Sequence, residues 1–165
     1  MIDKVNIEMK IKDYGIVKLE LDPAIAPITV ANFVDLVNQS FYNGLGFHRI
    51  IDGFMIQGGD PECTGYGGSG KTIKGEFSSN GIANTISHKR GVISMARSIM
   101  PDSASSQFFI VHQDSEYLDG SYAAFGHVTE GMDVIDKVIK DAKPIDNNGT
   151  IPIEKQPIIY YIRVI

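Results

Sequence analysis

Residues 47–60, with the sequence FHRIIDGFMIQGGD, contain two short apolar runs separated by an Asp-Gly pair. Short apolar runs bounded by turn-forming residues predict β-strands. Successive side chains of a strand point to opposite faces, so Met55 and Gln57 share one face, and Phe54 and Ile56 share the other. The stretch therefore predicts two neighbouring strands, one of which presents a mixed apolar and polar face.

Residues 107–111, QFFIV, repeat this alternation farther along the chain. Phe108 and Ile110 share one face of the predicted strand, whereas Gln107 and Phe109 share the other. Because side chains fill the interior of a small barrel, we expect Phe108 and Ile110 to face the core. Phe109 then lies on the outer face, next to a polar neighbour.

Two interpretations of this outer face remain open. A surface that carries Met55, Gln57, Phe109 and Arg49 together is typical of a peptide-binding groove. Alternatively, Arg49 is a surface ion-pair partner and Phe109 belongs to the core, with the strand register shifted by one residue. The alternation of side chains does not choose between them.

The rest of the chain predicts further strands and two helices. Residues 5–21 alternate around a central turn, which predicts an antiparallel hairpin. Apolar residues three and four positions apart predict helices at 30–37 and 132–140, and the β-branched and aromatic residues 158–165 predict a final strand. The pattern favours a mainly β fold in one domain over residues 1–165, a closed or nearly closed antiparallel barrel with helices at its ends.

Composition excludes several classes of function. The chain has 165 residues, and its 15 Lys and Arg against 20 Asp and Glu give a formal net charge of −5. That acidic balance argues against nucleic-acid binding, and the single cysteine, Cys63, excludes an internal disulfide and a cysteine-cluster metal site. Residues 1–12 do not resemble a signal peptide, and no segment has the ~20 apolar residues of a membrane span. We therefore expect a cytoplasmic protein that binds neither nucleic acid nor membrane.

Residues 65–72, GYGGSGKT, match the phosphate-binding loop pattern. That loop requires a buried strand before it and a helix after it, and residues 59–64 and 73–77 predict neither. The four histidines lack metal-ligand spacing, and no nucleophile motif such as G-x-S-x-G occurs. We expect no nucleotide, metal or cofactor, and no covalent catalysis.

Residues 47–60 resemble the characteristic motif of the cyclophilins, the peptidyl-prolyl cis–trans isomerases. Residues 93–110 and 118–126 resemble two further blocks of that family, in the expected order. The resemblance covers essentially the whole chain. It implies an eight-stranded antiparallel β-barrel capped by two α-helices, and an isomerase that accelerates rotation about X-Pro bonds and assists protein folding.

The resemblance also implies a set of site residues. It makes Arg49 the catalytic arginine, together with Phe54 and Gln57, and Gln57 would bond the substrate backbone. It assigns Phe54 to the outer face, whereas alternation predicts the inner one, and a bend at Gly53 would explain the difference. The residues implied in substrate binding are Met55, Gly67, Ala96, Arg97, Ser98, Gln107, Phe109, Tyr117, Leu118 and Tyr122.

Two aromatic positions depart from the family pattern. Tyr117 stands where many members have Trp, and Tyr122 stands where many have His; tyrosine keeps an aromatic wall and a polar tip at each place. Because Tyr117 lacks the indole N–H donor, we expect cyclosporin to bind with reduced affinity. We also expect the charged Arg97 to affect which residues flank the proline in preferred substrates.

We expect a monomer whose partners are proline-containing peptides and folding proteins. The alternative function is a non-catalytic module that holds proline-containing segments in the same groove, as a chaperone or scaffold. The two functions share almost all site residues, and the presence of Arg49 favours the enzyme.

Overall fold

The computed structural model describes residues 3–165, which form eight β-strands, two α-helices and three short 3-10 helices. The strands are β1 (Val5–Ile11), β2 (Gly15–Leu21), β3 (Arg49–Ile51), β4 (Met55–Gly58), β5 (Val92–Met95), β6 (Phe108–Val111), β7 (Ala124–Glu130) and β8 (Ile159–Val164). The α-helices are α1 (Pro27–Asn38) and α2 (Met132–Asp141). The 3-10 helices are Ser78–Asn80, Glu116–Leu118 and Ile153–Lys155. No helix in this described part of the chain is long and apolar enough to cross a bilayer.

The eight strands form one antiparallel sheet with the order β3-β4-β6-β5-β7-β2-β1-β8. β3 and β8 lie at the two ends of this order, so the sheet is open, in contrast to the expected closed barrel. The sheet nevertheless curls strongly, because the chain just before β3 meets the chain just before β8 in a bridge between Gly46 and Ile158. Backbone bonds from Phe47 N to Pro157 O (2.9 Å) and from Ile159 N to Leu45 O (2.8 Å) support that bridge.

The strand faces separate two apolar clusters. Phe108 and Ile110 of β6 lie in the large cluster inside the curled sheet, together with Ile50 and Ile56. Phe109 belongs to a smaller cluster on the outer face. The predicted alternation of β6 is therefore confirmed, and the alternative register, shifted by one residue, is wrong.

Phe54 departs from simple alternation for a local reason. It precedes β4 and lies in a turn in which Gly53 has a φ of 82°, a conformation that favours glycine. The turn is closed by the bond from Phe54 N to Ile51 O at 3.0 Å. Phe54 consequently packs against the outer cluster, beside Met55, while Ile56 points into the interior. The proposed bend at Gly53 is confirmed.

The helices cover the open ends of the curled sheet with their apolar faces. Phe33 of α1 lies in the interior, with ring centroids 5.5 Å from Phe108 and 5.2 Å from Phe125. Ile135 and Val138 of α2 are fully buried in the same cluster. Both predicted helices are confirmed within a few residues of their predicted bounds.

The segment that matches the phosphate-binding loop has no helix after it. The chain from residue 65 to 77 forms one isolated bridge, between Ile73 and Ala104, and the next helical element is the single turn Ser78–Asn80. Backbone N–H groups at the start of an α-helix, which such a loop needs, are therefore missing at this place.

A buried carboxylate caps the N-terminus of α1. Glu76 is 2% exposed, and its Oε1 accepts hydrogen bonds from Thr29 N (2.6 Å) and Thr29 Oγ1 (2.7 Å), while Oε2 accepts one from Ile28 N (3.2 Å). The first N–H groups of a helix have no partner within the helix, so this distant side chain satisfies them. Glu76 thus ties the loop after the glycine-rich segment to α1.

We predict that Glu76→Gln lowers the free energy of unfolding by about 1–3 kcal/mol. The neutral amide lacks the negative charge of the carboxylate, and its NH2 group cannot accept a hydrogen bond from the donors on Ile28 and Thr29. Urea denaturation checks the value. Glu130→Gln is the matched control, since the Glu130 side chain is 72% exposed, and its stability should stay within about 0.5 kcal/mol of the parent protein. Equal losses in the two variants would contradict the assigned role of Glu76.

Candidate active site

A cavity of about 110 Å³ opens on the outer face of the sheet. Its walls come from the three strands β3, β4 and β6 and from three connecting segments, which lie between β3 and β4, after β5 and before β7. The lining residues are Arg49, Phe54, Met55, Gln57, Ala96, Arg97, Phe109, Leu118 and Tyr122. The structure therefore brings together most of the residues that the resemblance implied.

The floor and walls of this cavity are apolar. Met55, Phe109 and Leu118 are 1%, 5% and 9% exposed, so they are packed in place. The rings of Phe109 and Tyr122 meet edge to face, with centroids 5.9 Å apart and an interplanar angle of 87°. Phe54 is half-buried and adds a further wall. The cavity is a compact apolar slot.

Arg49 lies at the mouth of the slot and is held by two neutral acceptors. Its Nε donates to Asn148 O at 2.8 Å, and its Nη1 donates to Gln57 Oε1 at 3.1 Å. Its Nη2 has no hydrogen-bond partner in residues 3–165. Burial lowers the pKa of Arg49 below its ordinary value, and the charges of Tyr122 and Tyr117 oppose this shift. A guanidinium nevertheless stays charged at neutral pH.

Three side chains form a directed series of hydrogen bonds from Arg49 across the sheet. Gln57 accepts from Arg49 and donates through Nε2 to Gln107 Oε1 at 2.9 Å. Gln107 then donates through its own Nε2 to Gly65 O (3.0 Å) and Gly67 O (2.8 Å). Each amide accepts on its oxygen and donates from its nitrogen, so the orientation of both amides is fixed.

The glycine-rich loop that receives this series is itself held by a buried carboxylate. Asp60 is 0% exposed, and its oxygens accept from the backbone N–H groups of Glu62, Thr64 and Gly65. Burial tends to raise the pKa of Asp60, but these backbone donors outweigh it and hold the pKa below its ordinary value. A Cβ at Gly67 would collide with the Asp60 carboxylate, which explains glycine at that position.

A second cavity, of about 230 Å³, adjoins the slot along the loop after β5. Gly67, Ser98 and Gln107 line this second cavity only, whereas Gln57, Ala96 and Arg97 line both. Ala96 N donates to Gln107 O at 3.0 Å, and Ser98 N donates to Ser103 Oγ at 2.9 Å. Within residues 3–165, neither Ala96 O nor Arg97 N has a hydrogen-bond partner. The backbone between the two cavities thus offers one free acceptor and one free donor.

The side chain of Arg97 is fixed between two aromatic rings. Its guanidinium carbon lies 4.7 Å from the centroid of Phe77 and 4.8 Å from that of Tyr122. Its Nε and Nη2 both donate to Ser121 O, at 3.0 and 2.6 Å. Arg97 therefore joins the loop after β5 to the loop before β7 and forms the partition between the two cavities.

Tyr117 is the one implied site residue that stays at the rim. It is 74% exposed and lines neither cavity. Its ring lies beside Phe54, with centroids 6.0 Å apart and an interplanar angle of 35°. A bound molecule that extends beyond the slot would meet this ring.

Sequence reasoning missed a serine, a histidine and an aspartate that meet beneath the slot. His88 Nε2 lies 2.9 Å from Ser94 Oγ, and His88 Nδ1 lies 2.8 Å from Asp119 Oδ1. The three have the order of a hydrolytic triad, but Ser94 is 0% exposed, so its hydroxyl cannot meet a substrate. The imidazole stacks on Phe109 with centroids 6.0 Å apart and therefore supports the floor of the slot. His88 is visible in the sequence, but no local motif joins it to Asp119, 31 residues away.

The geometry suits an extended peptide with one compact apolar side chain. The slot is apolar, the backbone of Ala96 and Arg97 beside it offers one free acceptor and one free donor, and Arg49 keeps one free donor. This arrangement provides shape, hydrogen bonds and a fixed positive charge.

A family model described as cyclophilin type peptidyl-prolyl cis-trans isomerase/CLD matches residues 6–161. The chain is 46% identical over 123 residues to peptidyl-prolyl cis-trans isomerase B of Bacillus subtilis, covering 74% of this chain and 82% of that protein. It is 48% identical over 126 residues to a peptidyl-prolyl cis-trans isomerase of Helicobacter pylori, covering 75% and 74%.

Solved structures agree with these sequence relatives. A crystal structure of a Cryptosporidium parvum cyclophilin type peptidyl-prolyl cis-trans isomerase has a TM-score of 0.86 and 28% identity, covering 99% of this chain and 98% of that one. A structure of that isomerase in the presence of the dipeptide Ala-Pro has a TM-score of 0.84 and 29% identity, covering 97% and 98%.

The buried side chains of His48 and His88 make the free energy of unfolding depend on pH. Burial lowers the pKa of His88, against the hydrogen bond and charge of Asp119, and burial together with the Arg49 charge lowers the pKa of His48 against the charge of Asp60. The unfolded chain, with ordinary histidine pKa values near 6.5, therefore binds protons first as the pH falls. We predict that the free energy of unfolding decreases as the pH falls below about 6.5.

Urea denaturation at several pH values, with an NMR titration of the two imidazoles in the folded protein, checks this prediction. Both imidazole signals should titrate below pH 6.5. Asp60 and Asp119, whose pKa values lie below 3.8 in the fold, lose their contributions only in a separate and more acidic range. A folded-state titration of His48 and His88 above 6.5 would contradict the prediction.

Proposed function

The chain belongs to the cyclophilin-type peptidyl-prolyl cis-trans isomerases and is an enzyme of that class; we propose that Arg49 at the mouth of the apolar slot is its catalytic group. The observation that carries this proposal is the pattern of bonds around Arg49. Two nitrogens of the guanidinium are fixed by Asn148 and Gln57, while Nη2 is left without a partner in residues 3–165. A fixed cation with a free donor beside an apolar slot is what rotation about an X-Pro bond requires.

The chemistry of the reaction explains why so few groups suffice. An X-Pro bond has partial double-bond character, with a rotation barrier of about 18–20 kcal/mol, and uncatalysed exchange takes ~10–100 s. No bond is broken, so neither a nucleophile nor a leaving-group acid is needed. In the twisted state the proline nitrogen regains its lone pair and accepts a hydrogen bond. A site that binds the twisted form better than either planar form accelerates the reaction.

Arg49 would supply the interaction that is stronger in the twisted state. Its guanidinium is permanently charged, and a charge-assisted hydrogen bond contributes about 1.5–3 kcal/mol. Met55, Phe109 and Leu118 would hold the proline ring, and Phe54 would close the slot beside it. Positioning of the ring in this slot would supply much of the remaining acceleration. We assign catalysis to Arg49, Phe54 and Gln57 on this basis.

Substrate would bind along the exposed backbone after β5. The free Arg97 N–H and Ala96 carbonyl can exchange hydrogen bonds with an extended peptide as a neighbouring strand would. Gln57 would contact the substrate backbone, and Gln107 would hold Gln57 in place through its 2.9 Å bond. Residues before the proline would then reach the second cavity, bordered by Gly67 and Ser98. Arg97, as the partition, would affect which of these residues are preferred.

We further propose that the physiological substrates are X-Pro segments of folding proteins and that the enzyme acts as a cytoplasmic monomer. Its only cysteine, Cys63, is free, which is usual for proteins of reducing compartments. Three exposed apolar side chains lie at or beside the second cavity: Tyr66, which lines it, is 95% exposed, and Ile99 and Met100, which follow Ser98 in the chain, are 92% and 65% exposed. Such a rim suits unfolded segments, which expose apolar residues.

We predict that Arg49→Ala lowers kcat/KM for an Ala-Pro peptide roughly 10²–10³-fold, as the loss of one transition-state donor does in other enzymes. NMR exchange spectroscopy on the peptide measures the rate, and circular dichroism checks that the fold is retained. Arg49→Lys should recover only part of the activity, because an ammonium group cannot donate to Gln57, Asn148 and substrate in one fixed plane.

Arg163→Ala is the matched control for this experiment. Arg163 contacts Glu8 and the ring of Tyr161 and no residue of the slot, so its removal should leave isomerase activity unchanged. Undiminished activity of Arg49→Ala would reject the catalytic role of Arg49. Peptide binding without accelerated exchange in the parent protein would favour the non-catalytic module.

Tyr117 allows a separate test of the rim. We predict that cyclosporin inhibits this enzyme weakly, because the phenol of Tyr117 lacks the indole N–H donor of tryptophan, and that Tyr117→Trp strengthens inhibition about five- to tenfold. Tyr117→Phe, which also lacks an indole N–H, is the control and should leave inhibition weak. Nanomolar inhibition of the parent protein in a competition assay would contradict this prediction.

A further inference from the structure

His112 follows β6 directly and makes two hydrogen bonds to the turn that carries Phe54. Its backbone N donates to Phe54 O at 2.8 Å, and its Nδ1 accepts from Gly53 N at 2.8 Å. The Gly53 N–H belongs to the peptide group before Gly53 and the Phe54 carbonyl to the peptide group after Phe54, so one residue holds the peptide groups on either side of the Gly53–Phe54 pair. The His112 side chain is 12% exposed and lines none of the cavities described above.

Phe54 depends on these bonds because no strand ladder includes it. The ladder between β4 and β6 begins with the pair Met55 and Val111, one residue beyond the turn. The turn itself contributes the bond from Phe54 N to Ile51 O, and the Phe54 ring leans on the exposed ring of Tyr117. The hydrogen bonds of His112 therefore extend the β4–β6 pairing by one residue, to the wall of the slot.

The hydrogen bond from Gly53 fixes which nitrogen of His112 carries the hydrogen. Since Gly53 N donates to Nδ1, that nitrogen is unprotonated, and Nε2 carries the hydrogen and lies 3.3 Å from Asp136 Oδ1. Asp136, on α2, is held by Arg90 through bonds of 2.8 and 2.6 Å, and these bonds lower the pKa of Asp136. Asp52 lies 3.5 Å from Nδ1, but its side chain is 80% exposed.

We propose that His112 is a positioning residue for the isomerase reaction: its Nδ1 acceptor holds the Gly53–Phe54 turn and thereby the Phe54 wall of the proline slot. Asp136 and Arg90 orient the imidazole for this purpose, so α2 supports the active site from outside it. The inference rests on the proposed role of Phe54 in the slot. It adds a residue that holds one wall of the slot without lining the slot itself.

Two amide variants separate this role from a general structural one. The Oδ1 of His112→Asn occupies the place of Nδ1 and can still accept from Gly53 N, whereas the Nε2 of His112→Gln reaches the place of the imidazole Nε2 and can only replace the contact with Asp136. We expect kcat/KM for an Ala-Pro peptide to stay within about twofold in His112→Asn and to fall about five- to tenfold in His112→Gln, the effect of one hydrogen bond. The loss should appear in kcat as well as in KM, because Phe54 closes the slot that positions the proline ring beside Arg49.

Equal activity of the two variants, or lower activity of His112→Asn, would overturn the proposal. If either variant fails to fold, the proposal is tested on the parent protein instead. A scalar coupling across the hydrogen bond between the Gly53 amide and His112 Nδ1 should be detectable by NMR. Absence of this coupling would overturn the proposal. A parent protein without isomerase activity would instead refute the catalytic proposal for the slot, and the coupling would still test the bond itself.

Discussion

A single row of directly opposed residues crosses four strands of the sheet, and the active site depends on it. Arg49 on β3 pairs with Gln57 on β4, Gln57 pairs with Phe109 on β6, and Phe109 pairs with Ser94 on β5. A slip of one residue in any of these ladders would turn its side chain to the other face. The row therefore places a cation, an amide and an aromatic ring side by side on one face of the sheet. Register, set by burial of the inner face, is what builds the site.

Alternation could predict this row, because it depends on a period that is visible in the sequence. Phe108 and Ile110 face the interior and Phe109 the outer face, as their spacing indicates. Phe54 could not be placed by the same rule, because it lies in a turn where period two does not apply. Family resemblance supplied its position, and the positive φ of Gly53 gives the physical reason.

Contacts between distant segments could not be predicted from the sequence at all. His88, Ser94 and Asp119 meet only because β5 and the loop before β7 are adjacent in the fold. The Nδ1 bond between Gly53 and His112 joins residues 59 positions apart, and no composition or spacing indicates it. Whether the sheet closes into a barrel also could not be predicted from the sequence, since it depends on how far β3 and β8 curl towards each other.

The partners of Arg49 explain how a half-buried cation remains available to substrate. Arg90 and Arg163 each pair with a carboxylate, Asp136 and Glu8, which satisfies their donors and offsets their charge. Arg49 has no carboxylate within salt-bridge distance in residues 3–165, and its acceptors are the neutral oxygens of Gln57 and Asn148. Burial of a charge costs free energy unless hydrogen bonds compensate, so these acceptors are needed. Because they are neutral, they fix the guanidinium plane and leave its positive charge uncompensated and one of its nitrogens free to donate.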